Sequence, residues 1–151
     1  MKANIYANIT DKRSVPFNSA ATGTVTTHGI AIIGVGTAFL TEMPAGSYVV
    51  DLTNYEIRKV YRVDSDTLAF MEVALTNDIA GGSTLQIIHK YQTGVKSIYL
   101  ETTGSAKIDN AAFTGTKTLT KSGAGRSSLR DLVAPIIVDA TNTTMQVTIV
   151  Y

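Results

Sequence analysis

Short runs in which apolar and polar residues alternate recur along the whole chain, separated by clusters of Gly, Pro, Asp, Asn and Ser. This is the pattern of half-buried strands joined by tight turns, and no stretch keeps a helical period. Thr22-Gly23-Thr24-Val25-Thr26-Thr27-His28-Gly29-Ile30-Ala31-Ile32-Ile33 is rich in β-branched residues and predicts two strands meeting near His28-Gly29. Gly34-Val35-Gly36 demands a turn or bulge, Thr37-Ala38-Phe39-Leu40-Thr41 sends Phe39 into a core, and Pro44-Ala45-Gly46 suits a type II turn led by Pro. Strands are expected over 47–52 and 56–63, with Thr53-Asn54 between them. Asp64-Ser65-Asp66 is expected to turn the chain into a strand over 67–72. In that last strand Leu68 and Phe70 face opposite to Ala69 and Met71, so both faces call for cover.

Further strands are expected over 84–91 and 96–102, with weaker candidates at 106–109 and 116–120. Residues 121–128 read as a basic loop, with a helical turn capped by Ser128 running through Leu132. The chain is expected to end on a hairpin, 135–140 against 144–151, turning at Thr141-Asn142, with Met145, Val147, Ile149 and Tyr151 on one face. At the other end Asn4-Ile5-Tyr6-Ala7-Asn8-Ile9-Thr10 alternates until Asp11-Lys12-Arg13-Ser14 and Pro16 break it. That segment reads as an edge strand and loop or, more sharply, as an extended arm docked on a neighbouring subunit. The expected architecture is all-β: an N-terminal arm (1–20), a small barrel or sandwich module (21–92) and a second antiparallel β-module (93–151), with a soft boundary at Gln92-Thr93-Gly94.

Composition narrows what such a fold can do. The chain has 151 residues, 44% of them apolar and only 17% charged, so Thr, Ser, Asn and Gly carry much of the polarity. A surface so poor in charge is suited to being covered by other subunits. The net charge of +1 gives no electrostatic case for nucleic acid, and no run approaches the ~20 apolar residues of a membrane span. The N-terminus lacks the apolar run of a signal peptide, so synthesis without export is expected. The absence of cysteine removes disulfides, thiolate metal sites and cysteine nucleophiles together.

The remaining polar groups do not assemble into a catalytic pattern. His28 and His89 have no second ligand at a metal-binding spacing. Asp64 and Asp66 sit where a turn uses its own carboxylates, Gly34-Val35-Gly36 lacks the rest of a nucleotide fingerprint, and no Gly-x-Ser-x-Gly elbow occurs. No catalytic residue, cofactor or metal is expected. Gly123-Ala124-Gly125-Arg126, with Lys121 and Arg130, reads first as a solvated loop, although its backbone amides and cations suit an anion; if a neighbour orders it, an acidic intersubunit contact is favoured over a phosphate.

Gly34-Val35-Gly36-Thr37-Ala38-Phe39, Pro44-Ala45-Gly46, Glu56-Ile57-Arg58-Lys59-Val60 and Ser65-Asp66-Thr67-Leu68 with Phe70 follow one another in order. Together they resemble a β-module of tailed-bacteriophage virion proteins over roughly residues 22–90, with Ser47 where an Asp is common. The resemblance implies a non-enzymatic virion component made in the host bacterial cytoplasm. A capsid decoration or cement subunit is favoured over a neck, tail or fibre adaptor, with a host-glycan-binding module as the rival. It implies virion proteins as partners, either major capsid or tail and neck proteins, and self-association, without nucleic acid or membrane. The residues expected to touch those partners are Ile5, Tyr6, Ile9 and Phe17 in the arm, Lys121, Arg126 and Arg130 in the basic loop, and the terminal Tyr151. For a glycan, Tyr48, Tyr55, Tyr61, Tyr91 and Tyr99 are the available platforms.

Overall fold

The computed structural model describes residues 3–120 and 135–151. In chain order the strands are β1 (Ile5–Ile9), β2 (Lys12–Val15), β3 (Ser19–Ala20), β4 (Thr24–His28), β5 (Ala31–Val35), β6 (Tyr48–Asp51), β7 (Glu56–Ser65), β8 (Leu68–Met71) and β9 (Gln86–Ile88). They continue with β10 (Ser97–Ile108), β11 (Ala111–Thr120), β12 (Ile136–Asp139) and β13 (Met145–Val150). One helical turn, α1 (Phe39–Glu42), and a 3-10 turn at Lys90–Gln92 complete the described elements. The fold is all-β, and it separates into two compact units: 17–91, and 1–16 together with 92–151.

The 17–91 unit is a single antiparallel sheet in the order β3-β9-β6-β7-β8-β5-β4. Its two end strands, β3 and β4, are consecutive in the chain, and both run beside 79–88. Ala21 N donates to Leu85 O at 2.8 Å, Val25 N to Ser83 O at 2.8 Å, and Thr27 N to Ile79 O at 3.1 Å. The ladder therefore returns to where it began, and the sheet curls around one core. Alternation decides what fills it: Val25, Ile32, Val49, Val60, Ala69, Met71 and Ile87 point inward from successive strands, and Phe39, Met43 and Leu85 plug the interior.

Phe39 is fully buried, as its sequence context implied, but it enters on α1 and not on a strand. The reason is local. The two-residue turn between β7 and β8 is Asp66-Thr67, with Ser65 still paired to Leu68. The backbone oxygen of Asp66 accepts from Thr37 Oγ1 at 2.5 Å and Phe39 N at 3.3 Å, and Asp66 Oδ1 accepts from Leu40 N at 3.0 Å. Gly34 N donates to Thr67 O at 2.9 Å. The expected turn at Asp64-Ser65-Asp66 is thus displaced: Asp64 remains in β7, where it pairs with Arg62 at 2.9 Å, and Asp66 leads the turn. The turn at 44–47 is likewise shifted. Ser47 N donates to Pro44 O at 3.0 Å and Gly46 has φ 98°, so Gly fills the position that requires positive φ, while Pro44 opens the turn. Between β4 and β5 the loop is Gly29-Ile30 with Gly29 at φ 56°, a two-residue hairpin as expected. The strand expected over 84–91 is cut to β9, because Lys90–Gln92 winds into the 3-10 turn and Lys90 N donates to the Ser47 hydroxyl at 3.0 Å.

The other unit corrects two expectations. In place of the arm expected over 1–20, β1 pairs with β13 and β2 with β12, so residues 5–15 are built into the sheet of the C-terminal residues, and Ser19–Ala20 pairs with β9 in the 17–91 unit. The final segment is no hairpin either. β12 and β13 lie end to end along β10, with Val138 opposite Ile108 and Met145 opposite Thr102, and the residues between them bulge. β1 and β2 follow the same line on the far side, with Ala140 N donating to Asp11 O at 2.9 Å. The weak candidates at 106–109 and 116–120 belong to the longest hairpin of the unit, β10–β11, which turns at Asp109-Asn110. Both turn residues have positive φ, 47° and 71°, as a type I′ hairpin demands. The helical turn expected from Ser128 to Leu132 lies outside the described residues.

Cross-strand register sorts this sheet into two faces. Ile5, Ile149, Ile98 and Leu119 make one row, and Ala7, Val147, Leu100 and Lys117 the next. On this face β13 and β10 are buried, whereas Lys117 on β11 is exposed and Leu119 is half-buried. The opposite face carries Tyr6, Thr148, Tyr99 and Thr118, then Asn8, Gln146, Glu101 and Thr116.

Gly34 offers a direct test of the 34–39 and 66–67 turns. A Cβ there would lie 2.0 Å from Thr37 Oγ1 and 2.8 Å from the tip of the Phe39 ring. Gly34→Ala must break the Thr37–Asp66 bond or shift the ring, and should destabilise by about 1–3 kcal/mol in a denaturant titration. A change below about 0.5 kcal/mol, the range of neutral surface substitutions, would show that the contact is slack.

Candidate interaction surfaces

The first candidate is β11. It is ten residues long, at the upper end of ordinary strand lengths, and pairs only with β10 among the described residues. Seven of its ten positions are exposed and three half-buried, so neither face is covered. It carries no proline, and its single charge is Lys117. Edge strands of natural sheets usually carry proline, charge or a cover that blunts them, because their outward N–H and C=O groups invite another strand. Opposite Thr114 the register slips, leaving Phe113 against Ala106, Gly115 against Thr102 and Thr114 with no paired residue. Gly115 takes φ 97° there.

The second candidate is the outer face of the 17–91 unit. Ile33 and Val35 on β5 are 43% and 72% exposed, and Ile33 lies opposite the half-buried Leu68 on β8. Phe70 is half-covered by Arg62, whose guanidinium sits 4.3 Å from its ring centre, and the Tyr61 ring lies 6.4 Å from Phe70. The expectation that both faces of β8 are covered therefore holds for Ala69 and Met71, while Leu68 and Phe70 rely on partial cover from a neighbouring side chain.

The third is a groove of ≈ 330 Å³ at one end of the same unit, lined by Asp51, Asn54, Asn77, Asp78 and Gln86 among others. Its two carboxylates are committed to turns. Asp51 accepts from Thr53 N at 3.1 Å, Asn54 N at 3.3 Å and Asn54 Nδ2 at 2.8 Å; Asp78 accepts from Gly29 N at 3.1 Å. Such carboxylates hold loops in place. His89 is similarly engaged: its Nδ1 accepts from Tyr91 N at 3.2 Å, which leaves Nε2 to donate to Thr41 O at 3.1 Å, and its ring lies 4.5 Å from that of Tyr91 at a tilt of 48°. His28 is exposed at the end of β4. Among the described residues no group of three His, Cys, Asp or Glu is placed to hold a metal.

The residues expected to touch partners are scattered. Tyr6 is 71% exposed, whereas Ile9 is buried at 3% in the sheet of its own chain, facing Met145. Ile5 is half-buried beside Ile149, and Phe17 is half-buried where the 17–91 unit begins. Tyr151 is half-buried, and its N donates to Asn4 Oδ1 at 3.4 Å. Lys121, Arg126 and Arg130 lie outside the described residues. Of the tyrosines proposed as glycan platforms, Tyr91 and Tyr61 are exposed, and Tyr48, Tyr55 and Tyr99 are half-buried. The edge character of β11 was missed, because 106–109 and 116–120 were read as fragments. The Asp109-Asn110 pair between two Thr-rich runs was the available signal.

Comparison of the chain with protein-family models, with curated proteins and with solved structures gave no match. The surfaces themselves therefore carry the functional argument.

Glu56 is a carboxylate whose protonation is coupled to folding. Glu56 accepts from Thr76 N at 2.9 Å, from the Thr76 hydroxyl, and from Arg58 Nη2 at 2.9 Å. The Thr76 hydroxyl is the main cause that holds its carboxyl below the ordinary value of 4.5; desolvation opposes it, and Arg58 adds to the lowering. A carboxylate whose folded pKa is depressed stabilises fully above its unfolded pKa and loses that contribution as pH falls through the folded value. Glu56→Gln should therefore be less stable than the parent at pH 7, with the gap closing below pH 4.5 in paired denaturant titrations. A gap that stays constant down to pH 2.5 would remove Glu56 as a source of acid sensitivity.

Proposed function

We propose that this protein is a non-enzymatic structural subunit of a bacteriophage virion, acting through intersubunit β contacts. The favoured position is a capsid decoration or cement subunit; a neck, tail or fibre adaptor would use the same surfaces. Its partners are other virion proteins and further copies of itself. The observation that carries this reading is β11, a long strand that among the described residues pairs only with β10, is covered on neither face, and has only Lys117 and one register slip to blunt its outer edge. An added strand gains main-chain hydrogen bonds along its length without needing a deep pocket. The composition supports the same role, since a surface poor in charge is readily desolvated between subunits. The resemblance of the 34–70 turns to a phage β-module supplies the setting, and the two polar turns that carry it are occupied in holding Phe39. Stabilisation by such a subunit works by mass action, through preferential binding to the assembled shell.

Two measurements test this. Purified protein mixed with capsids lacking it should co-sediment with them at saturating stoichiometry, and light scattering on a sizing column should report self-association. A monomer that ignores both capsids and tails contradicts the proposal. Thr114→Pro sharpens the test: Thr114 has no paired residue on β10, so proline there spares the β10–β11 ladder while disturbing the outer edge. It should weaken assembly by about tenfold or more with little change in melting temperature, since an edge that contributes only to binding adds little to folding. Undiminished assembly of a folded Thr114→Pro protein would exclude β11 as the contact.

A further inference from the structure

The outer face of the β1-β13-β10-β11 sheet is exposed and regularly registered, and it is not used by the edge contact just described. Tyr6 on β1, Thr148 on β13 and Tyr99 on β10 stand directly opposite one another, so both tyrosine rings rise from the same face. Tyr6 is 71% exposed, and Thr148 and Tyr99 are half-buried. With one strand between them, their backbones lie about two strand spacings apart, roughly 9.5 Å. One pleat repeat further along, Asn8, Gln146 and Glu101 form a parallel row, all three exposed. The register is unbroken from Ser97 to Thr102 across β13, so no bulge interrupts either row. Tyr99 Oη lies 3.4 Å from Glu101 Oε2, which links the aromatic row to the polar one.

This is an uncommon mixture for a protein-docking surface. It has no aliphatic anchor between the two rings, and Glu101 is its one charge. What it offers is two aromatic faces with a strip of amide and carboxylate groups beside them. An aromatic ring presents a negative face that suits the axial C–H groups of a pyranose. Amides and carboxylates satisfy neighbouring equatorial hydroxyls with paired hydrogen bonds. Two tyrosines on one face, with backbones about 9.5 Å apart and so close to the repeat of an extended disaccharide, match a chain in which alternate sugars present the same side. We infer that this face binds a linear β-1,4-linked hexopyranose chain, with Tyr6 and Tyr99 stacking on alternate sugars and Asn8, Gln146 and Glu101 reading the hydroxyls between them. The site is open and preformed, and it is independent of β11 pairing.

The test uses the full chain with cellohexaose and chitohexaose as probes, and maltohexaose as the α-linked control, by titration calorimetry and tyrosine fluorescence. At least one β-linked hexamer should bind, and maltohexaose should bind about tenfold more weakly or not at all, because its coiled chain does not present alternate sugars to both tyrosines. Tyr6→Ala and Tyr99→Ala should each weaken binding by roughly tenfold, the scale expected for loss of one well-placed aromatic contact. Tyr6→Phe should retain it, and Tyr91→Ala, an exposed tyrosine of the 17–91 unit, should leave it unchanged. Should Tyr99→Ala fail to fold, the exposed Tyr6→Ala decides alone. Failure of both β-linked hexamers to bind, equal binding of maltohexaose, or binding undiminished in Tyr6→Ala overturns the inference. None of these outcomes bears on capsid binding, which Thr114→Pro addresses separately.

Discussion

Two turns that satisfy each other's backbone groups hold the 17–91 unit together. Residues 34–40 must leave β5, bend and place Phe39 under the sheet, and that path strips several N–H groups of strand partners. The Asp66-Thr67 turn supplies acceptors for Gly34, Thr37, Phe39 and Leu40. Each such bond is worth about 1 kcal/mol net, but leaving one unmade in a buried place costs about 1–3 kcal/mol. Burial of Phe39 is the larger gain: truncating a buried phenylalanine to alanine costs about 3–5 kcal/mol. The polar turns therefore make affordable the packing that dominates, and neither side of the arrangement works without the other. Gly34 is the contact point, since only a residue without Cβ lets Thr37 and the Phe39 ring close over it.

The second unit solves a different problem. Its sheet is made from both ends of the chain, with 5–15 laid along 136–150, so strand alternation has to agree across residues more than a hundred positions apart. The agreement is good: Ile5, Ala7 and Ile9 face Ile149, Val147 and Met145, and slipping β1 by one residue would turn its three apolar side chains to the opposite face. That constraint leaves the opposite face free to carry polar residues, and leaves β11 at the margin of the buried rows. The functional proposals both rest on what the core does not use.

Local grammar was legible in the sequence, and long-range placement was not. The Gly29 hairpin, the burial of Phe39 and the shared face of Met145, Val147 and Ile149 follow from alternation and from glycine's tolerance of positive φ. The N-terminal strand was visible as an alternating run, yet nothing in Asn4-Ile5-Tyr6-Ala7-Asn8-Ile9 names β13 as its neighbour. Thr141-Asn142 has the composition of a hairpin turn, but Asp139 spends its carboxylate on Thr141, with N and Oγ1 at 3.0 and 2.7 Å, and the chain bulges and continues along β10. Ile9 was taken for a contact residue because an isoleucine in an edge strand and one in a central core look alike in sequence. The row that joins Tyr6 to Tyr99 was hidden for the same reason, being a product of register between segments far apart.

The central proposal is that β11, which pairs only with β10 among the described residues, gains a second strand in the assembled particle. Deuterium exchange followed by mass spectrometry reads this directly, because backbone amides slow when they gain a partner. In the free protein, peptides covering 111–120 should contain amides that exchange within seconds, beside slower ones bonded to β10. On capsids the fast set should slow by about tenfold or more, while peptides from the Phe39 core stay unchanged. Unaltered exchange over 111–120 in a particle that demonstrably holds the protein would contradict the account.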